Sequence, residues 1–305
     1  MESTFPQAAS TALVNISLAW IAGVLACRFW LIKRTARWQS AVAQRLSRAT
    51  TIGLAACMAA IVLSLWTESA LMGDVPWLDA WPAFRDMLVS THYGHAGIAA
   101  LGILALAIAA QLVLCRACSE RWCLIILSSL FALLGVARVA IGHAYEHGPF
   151  SLAVVVEWLH IVSMSLWAGI VFVAGWLALP GVLRAEAQPT TERTAFLTSM
   201  SDWAAGALVV ILATGAYNAF RVLGSPADFV RTPYGNVLLL KLCLVIAAIA
   251  LGGFNKFVGL PAVLQSADGQ QGLRTVIAVL RVESIALLLV LAAAAVLTSS
   301  APPGT

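Results

Sequence analysis

Charge is what this sequence has least of. Only 10% of its 305 residues are Asp, Glu, Lys or Arg, against about a quarter in a soluble globular domain. An ordinary soluble domain is thereby excluded. Strand-length alternation of apolar and polar residues is missing, which excludes a β-barrel. There is no glycine-rich phosphate-binding loop and no soluble nucleotide domain, so an ATP-driven pump is excluded as well. The opening Met1-Glu-Ser-Thr-Phe-Pro-Gln7 has no positive residues ahead of the first apolar run. A cleaved signal peptide is therefore not expected, and residue 11 onward reads as a retained span. Nucleic-acid binding is not expected either, because the basic residues are committed to membrane loops.

What is present is apolar. Hydrophobic residues make up 61% of the chain and the mean hydropathy is +0.91. Several runs match the ~20 residues that a helix needs to cross the ~30 Å hydrocarbon core. The fold class is all-α: a polytopic membrane protein with the lipid bilayer as its solvent. Eight transmembrane helices are predicted, at about Thr11–Ile32, Ala49–Thr67, His92–Cys115, Trp122–Ile141, Ser151–Leu179, Trp203–Phe220, Tyr234–Phe254 and Val282–Thr298. They form a single membrane domain over residues 1–305, with no long linker. Thirteen of the eighteen Lys and Arg residues follow the odd-numbered helices. By the positive-inside rule those loops are cytoplasmic, and both termini lie outside. For a bacterial inner (plasma) membrane, outside is the periplasm. That face carries Glu2, Glu68, Asp74, Asp79, Asp86, Glu146, Glu157 and Asp228, an acidic surface that attracts cations.

An internal duplication is visible. Thr91-His-Tyr-Gly94 opens the third helix and Thr232-Pro-Tyr-Gly235 opens the seventh, while Ser-Leu-Ala-Trp-Ile-Ala-Gly23 is echoed by Ser-Leu-Trp-Ala-Gly169. With four helices per half, the halves run in the same direction, a parallel 4+4 repeat. Their limits are about 11–145 and 150–300.

All five histidines fall at predicted outer helix ends: His92, His95, His143, His147 and His160. His92/His95 and His143/His147 have the i,i+3 and i,i+4 spacings that share a helix face. His160 and Met164, also i,i+4, join an imidazole to a thioether one turn deeper. That soft to borderline ligand set selects copper over hard ions. The bland alternatives are histidines bonded to loop carbonyls, His95 and His147 first among them, and a methionine that only packs. No cysteine lies in an outer loop, so a periplasmic disulfide framework is not expected. Cys115, Cys118 and Cys123, at an inner end, offer thiolates as exit ligands beside Arg116 and Arg121. Lys241 lies about two turns inside a span, where an ammonium must snorkel, pair or line a polar cavity, with Glu157 or Asp228 as partner. Glu283 and Asp202, near the inner interface, are expected to pair with Arg281 and Arg193. The tryptophans read as interfacial belts.

One combination of motifs is more specific. Gly142-His-Ala144, Leu159-His160 followed by Leu-Trp-Ala-Gly169, Thr214-Gly215, Thr232-Pro-Tyr-Gly235 with Lys241, Asn255, and Arg-Val-Glu283 together resemble the copper resistance protein D family, CopD, over roughly residues 140 to 300. The resemblance implies an inner-membrane protein of copper homeostasis that moves copper from the periplasm inward, often beside a small periplasmic CopC-like copper carrier. It carries over His143 and His160 as metal ligands. His92 departs from the pattern, since its second-half counterpart is Pro233. Two other functions compete. Leu159-His160 followed by Trp-Ala-Gly is also similar to four-helix membrane proteins linked to protoporphyrinogen oxidation, which would make the cofactor haem, the protein an oxidoreductase and the histidines axial ligands. The third is a sensor or docking partner that binds copper without flux.

Overall fold

The described residues of the computed structural model are 4–33, 35, 37–117, 119–142, 148, 150–184, 190–222, 232–265 and 270–300. Their helices are α1 Thr4–Trp30, α2 Arg37–Met72, α3 Trp81–Ser90, α4 His92–Ala117, α5 Glu120–Ala140, α6 Leu152–Val173, α7 Leu179–Arg184, α8 Thr190–Val222, α9 Pro233–Phe254, α10 Leu260–Gln265 and α11 Gln270–Thr298. A π-turn at Ala174–Ala178 joins α6 to α7, and another at Asn255–Gly259 joins α9 to α10. Among the described residues, eight helical spans are long and apolar enough to cross a membrane.

Three of these spans begin about a dozen residues before the predicted positions, and one physical cause covers all three. α2 starts at Arg37 rather than Ala49 because Trp38, Val42 and Leu46 recur every four residues and are buried. Phe196, Leu197 and Met200 extend α8 in the same way, and Leu273, Val276, Ile277 and Leu280 extend α11. Intervening polar residues such as Arg45, Glu192 and Arg274 dilute mean hydropathy but leave the helical period intact. The buried stripes merge into one apolar cluster, so the bundle continues at the arginine-rich end. Trp30 meets Phe196 and Trp203 edge to face there, with ring centroids 5.4 and 5.6 Å apart. At the opposite end α3, ten residues long, begins with Pro82 in its first turn and seats Trp81 and Phe84 against Trp66.

α1 is the central helix. It packs with α2, α4 and α5 around one apolar cluster and with α6, α8 and α11 around a second. Its crossing with α6 is made backbone to backbone. A Cβ on Gly23 would overlap the Gly169 carbonyl, and one on Gly169 would overlap the Ala19 carbonyl. Small residues permit that approach where lipid supplies no hydrophobic drive for association. The two Thr-x-Tyr-Gly motifs also do the same local work. Thr91 Oγ1 accepts the Gly94 N–H at 2.9 Å, and Thr232 Oγ1 accepts the Gly235 N–H at 3.0 Å, each closing the first turn of its helix.

Arg28 is buried to 1% exposure. Its guanidinium donates to Gln111 Oε1 at 2.8 Å, Thr50 Oγ1 at 2.9 Å and Glu120 Oε1 at 3.4 Å, tying α1 to α2, α4 and α5. Arg28→Leu should destabilise the protein by about 2–3 kcal/mol, because it strands buried acceptors. The thermal midpoint of the detergent-solubilised variant checks this. Glu120→Gln, at the half-solvated edge, should lower it less.

Candidate functional site

Among the described residues, the side chains singled out by sequence do not converge on one cluster. His92 is exposed on α4, with Nε2 3.2 Å from the Ala140 carbonyl of α5. His95 is exposed too, with Nε2 2.9 Å from the Val89 carbonyl of α3. Both therefore bond to main-chain carbonyls. His143 and His147, together with Cys118 and Asp228, lie outside the described residues. Among the described residues, no group of three or more His, Cys, Asp or Glu side chains comes together as a metal cage. Cys115 and Cys123 are joined in a disulfide with Cα atoms 5.6 Å apart, because the chain doubles back between α4 and α5. In this form neither presents the thiolate expected of an exit ligand.

His160 is different, because it faces the inside of the bundle. Its Nδ1 lies 2.9 Å from Thr214 Oγ1 on α8. The single hydroxyl proton of Thr214 is spent on the Val210 carbonyl at 2.6 Å, so Thr214 accepts and Nδ1–H donates. That fixes the tautomer and leaves the Nε2 lone pair available to a metal, the arrangement by which outer groups orient a histidine ligand. Gly215 of α8 lies beside the same imidazole, where a Cβ would be in ordinary contact with Cε1 at 3.4 Å.

A polar set surrounds this imidazole. Asn218, one turn from Thr214, donates from Nδ2 to Glu157 Oε2 at 2.7 Å. Its amide oxygen is buried with no hydrogen-bond partner. Lys241 of α9 is within electrostatic reach of both His160 and Glu157, so of the two partners expected for the ammonium, Glu157 is at hand. Met164, half-buried one turn below His160, packs against the core. Glu157, His160, Met164 and Trp167 have i, i+3, i+7, i+10 spacing, which puts them on one stripe of α6.

The inner charges pair differently from expectation. Asp202 meets Lys256 at 3.2 Å. Arg281 turns to the Gly175 carbonyl at 3.3 Å and lies over the Trp176 ring, 4.7 Å from its centroid. Glu283, which faces α6 and α9, is hydrogen-bonded by Trp167 instead. The longer α11 explains this: Glu283 sits halfway along a helix already packed on both sides, so it cannot turn back to a neighbour two residues away. Sequence reasoning did not single out Asn218, and named Asn255 only among the residues that carry the family resemblance. Their signal is an amide i+4 from Thr214 in an apolar helix, and an amide at the start of a π-turn.

A family model described as copper resistance protein D matches residues 194–297, and one described as copper resistance protein D-like, N-terminal domain, matches residues 1–151. The curated protein named copper transport protein CutJ, from Bacillus subtilis (strain 168), is 29% identical over 219 residues, 70% of this chain and 39% of that protein. The chain thus spans well under half the length of that relative. No solved structure matches.

Proposed function

We propose that this chain, which belongs to the copper resistance protein D family, conducts copper across the membrane from the end bearing its termini to the arginine-rich end. The observation that carries the reading is His160, held by Thr214 in the tautomer that frees Nε2. Met164 adds a thioether one turn deeper, and the pair suits Cu(I). A conducting site must bind well enough to accept the ion and weakly enough to release it, which a few His and Met ligands do better than a closed cage. His143, carried over from the family motif, completes the proposed ligand set. His92 and His95, already bonded to carbonyls, are left as structural residues.

The arginine distribution supports a periplasmic position for both termini in an inner membrane. The acidic loops at that end are the proposed landing surface for copper or for a CopC-like carrier. Matching Thr caps on α4 and α9, and paired glycines at the α1–α6 crossing, support a parallel 4+4 architecture. The role is one of binding and passage, with no reaction catalysed on the ion.

Sealed proteoliposomes test the conduction. Those holding the wild-type chain should accumulate copper faster than those holding the His143→Ala, His160→Ala double variant. Equal initial rates at equal protein incorporation would overturn conduction and leave copper sensing or carrier docking as the role.

A further inference from the structure

Where α6, α9 and α11 meet beside the two π-turns, the bundle buries a carboxyl and an amide that the ligands named above do not use. Glu283 is 1% exposed. Trp167 of α6 hydrogen-bonds the carboxyl, and Oε2 has no hydrogen-bond partner. Gly252 closes the α9 side, where a Cβ would lie 3.1 Å from Glu283 Oε1. One turn further along α9, Asn255 is 6% exposed, and neither its Nδ2 nor its Oδ1 has a partner. Buried polar atoms are nearly always hydrogen-bonded. Three orphans on two neighbouring side chains therefore mark a place built for something that binds and leaves.

Most charged groups on the elements packed around Glu283 are directed elsewhere. Arg281, on its own helix, goes to the Gly175 carbonyl and the Trp176 ring. Lys256, next to Asn255, goes to Asp202 and Ser201. Lys241 of α9 belongs to the His160 and Glu157 set, and Arg28 of α1 to Gln111, Thr50 and Glu120. Arg184 closes α7, and Arg274 lies in the first turns of α11. Cys27 of α1 is a buried free thiol. An ionised Glu283 would be a buried charge without a counter-ion, which a low-dielectric interior strongly disfavours. A proton on Oε2 removes that charge.

We propose that Glu283 is a proton-exchange site: its carboxyl holds one proton while the route is empty and releases it as Cu(I) arrives. The inference rests on the copper reading above and names its coupling ion. Charge balances, because the neutral acid becomes a carboxylate, one proton leaves and one monovalent copper ion takes its place inside the bundle. The link is α6, on which His160, Met164 and Trp167 share a stripe and Trp167 bonds the carboxyl. Seven residues separate His160 from Trp167, about 10 Å of helix, a span over which two charges inside a protein still repel or attract each other measurably.

Two measurements on the full-length protein test the exchange. In weakly buffered detergent solution at neutral pH, a pH indicator should report about one proton released per Cu(I) bound, and none from Glu283→Gln. Equal release from both proteins would overturn the proposal. Infrared spectra of the copper-free protein should contain a protonated-carboxyl stretch that disappears in Glu283→Gln. No such band would mean that Glu283 is already ionised, which also overturns it. If Glu283→Gln fails to fold, Trp167→Phe keeps the carboxyl but removes its donor, and the band should shift; an unshifted band counts against the site. A wild-type protein that binds no Cu(I) would sink the copper reading and the exchange with it, while the band would still show separately whether Glu283 carries a proton.

Discussion

Cu(I) should bind purified His160→Ala protein at least about tenfold more weakly than the wild type, a difference of about 1.4 kcal/mol. Imidazole Nε2 is the donor atom lost, and no other described histidine has a ring held inside the bundle by a side chain that sets its tautomer. Thr214→Val should weaken binding less than His160→Ala, because it removes the acceptor that orients Nδ1–H and leaves the imidazole in place. Thr214→Ser, which keeps the hydroxyl, should stay near wild type. Titration against a competing Cu(I) chelator measures all three. Unchanged affinity in His160→Ala would remove this residue from the site, and Met164 would lose its partner.

Gly169→Leu should yield no folded protein. Its Cβ would occupy the space of the Ala19 carbonyl, and the obstacle is main chain that cannot rotate away. To make room, α1 and α6 must separate along the crossing that joins the two apolar clusters. Overpacking of side chains costs about 1–3 kcal/mol, and a collision between backbones exceeds that range. Gly23→Leu should behave alike. Gly102→Ala, Gly206→Ala and Gly253→Ala supply the contrast, since nothing lies within 4 Å of a Cβ at those positions. In a helix interior that exchange is neutral or stabilising by up to about 1 kcal/mol. Monodispersity and thermal midpoint in detergent separate the two groups. A monodisperse Gly169→Leu protein with a normal midpoint would show that the crossing is not a close one.

Much of the architecture was legible without coordinates. Eight apolar segments, the arginine asymmetry and the two Thr-x-Tyr-Gly motifs are one-dimensional signals, and the two threonines cap their helices alike. The Ala-Gly echo was visible as a repeat, yet nothing in the letters says that Gly23 and Gly169 touch. Helix beginnings were the weakest point. Trp38, Phe196 and Leu273 lie among charged residues, so hydropathy ends there while the amphipathic helix continues. The histidines shared an outer position by topology, but the side a ring faces depends on helix rotation, and among the described histidines only His160 is bonded to a side chain inside the bundle.

Composition and periodicity by themselves determined that this is a helical, multi-pass membrane protein, because a bilayer demands long apolar segments whose backbone bonds are all internal. They also determined which chemistry was on offer: imidazole, thioether, a buried ammonium and a few carboxyls. Tertiary structure alone decided which of these groups meet. Glu283 was free to pair with Arg281 two residues away, and instead lies against Trp167, more than a hundred residues distant, beside an amide at a π-turn. Neighbours along a helix point to different faces, so which buried groups are satisfied depends on packing between helices, and that packing exists only once the bundle has formed.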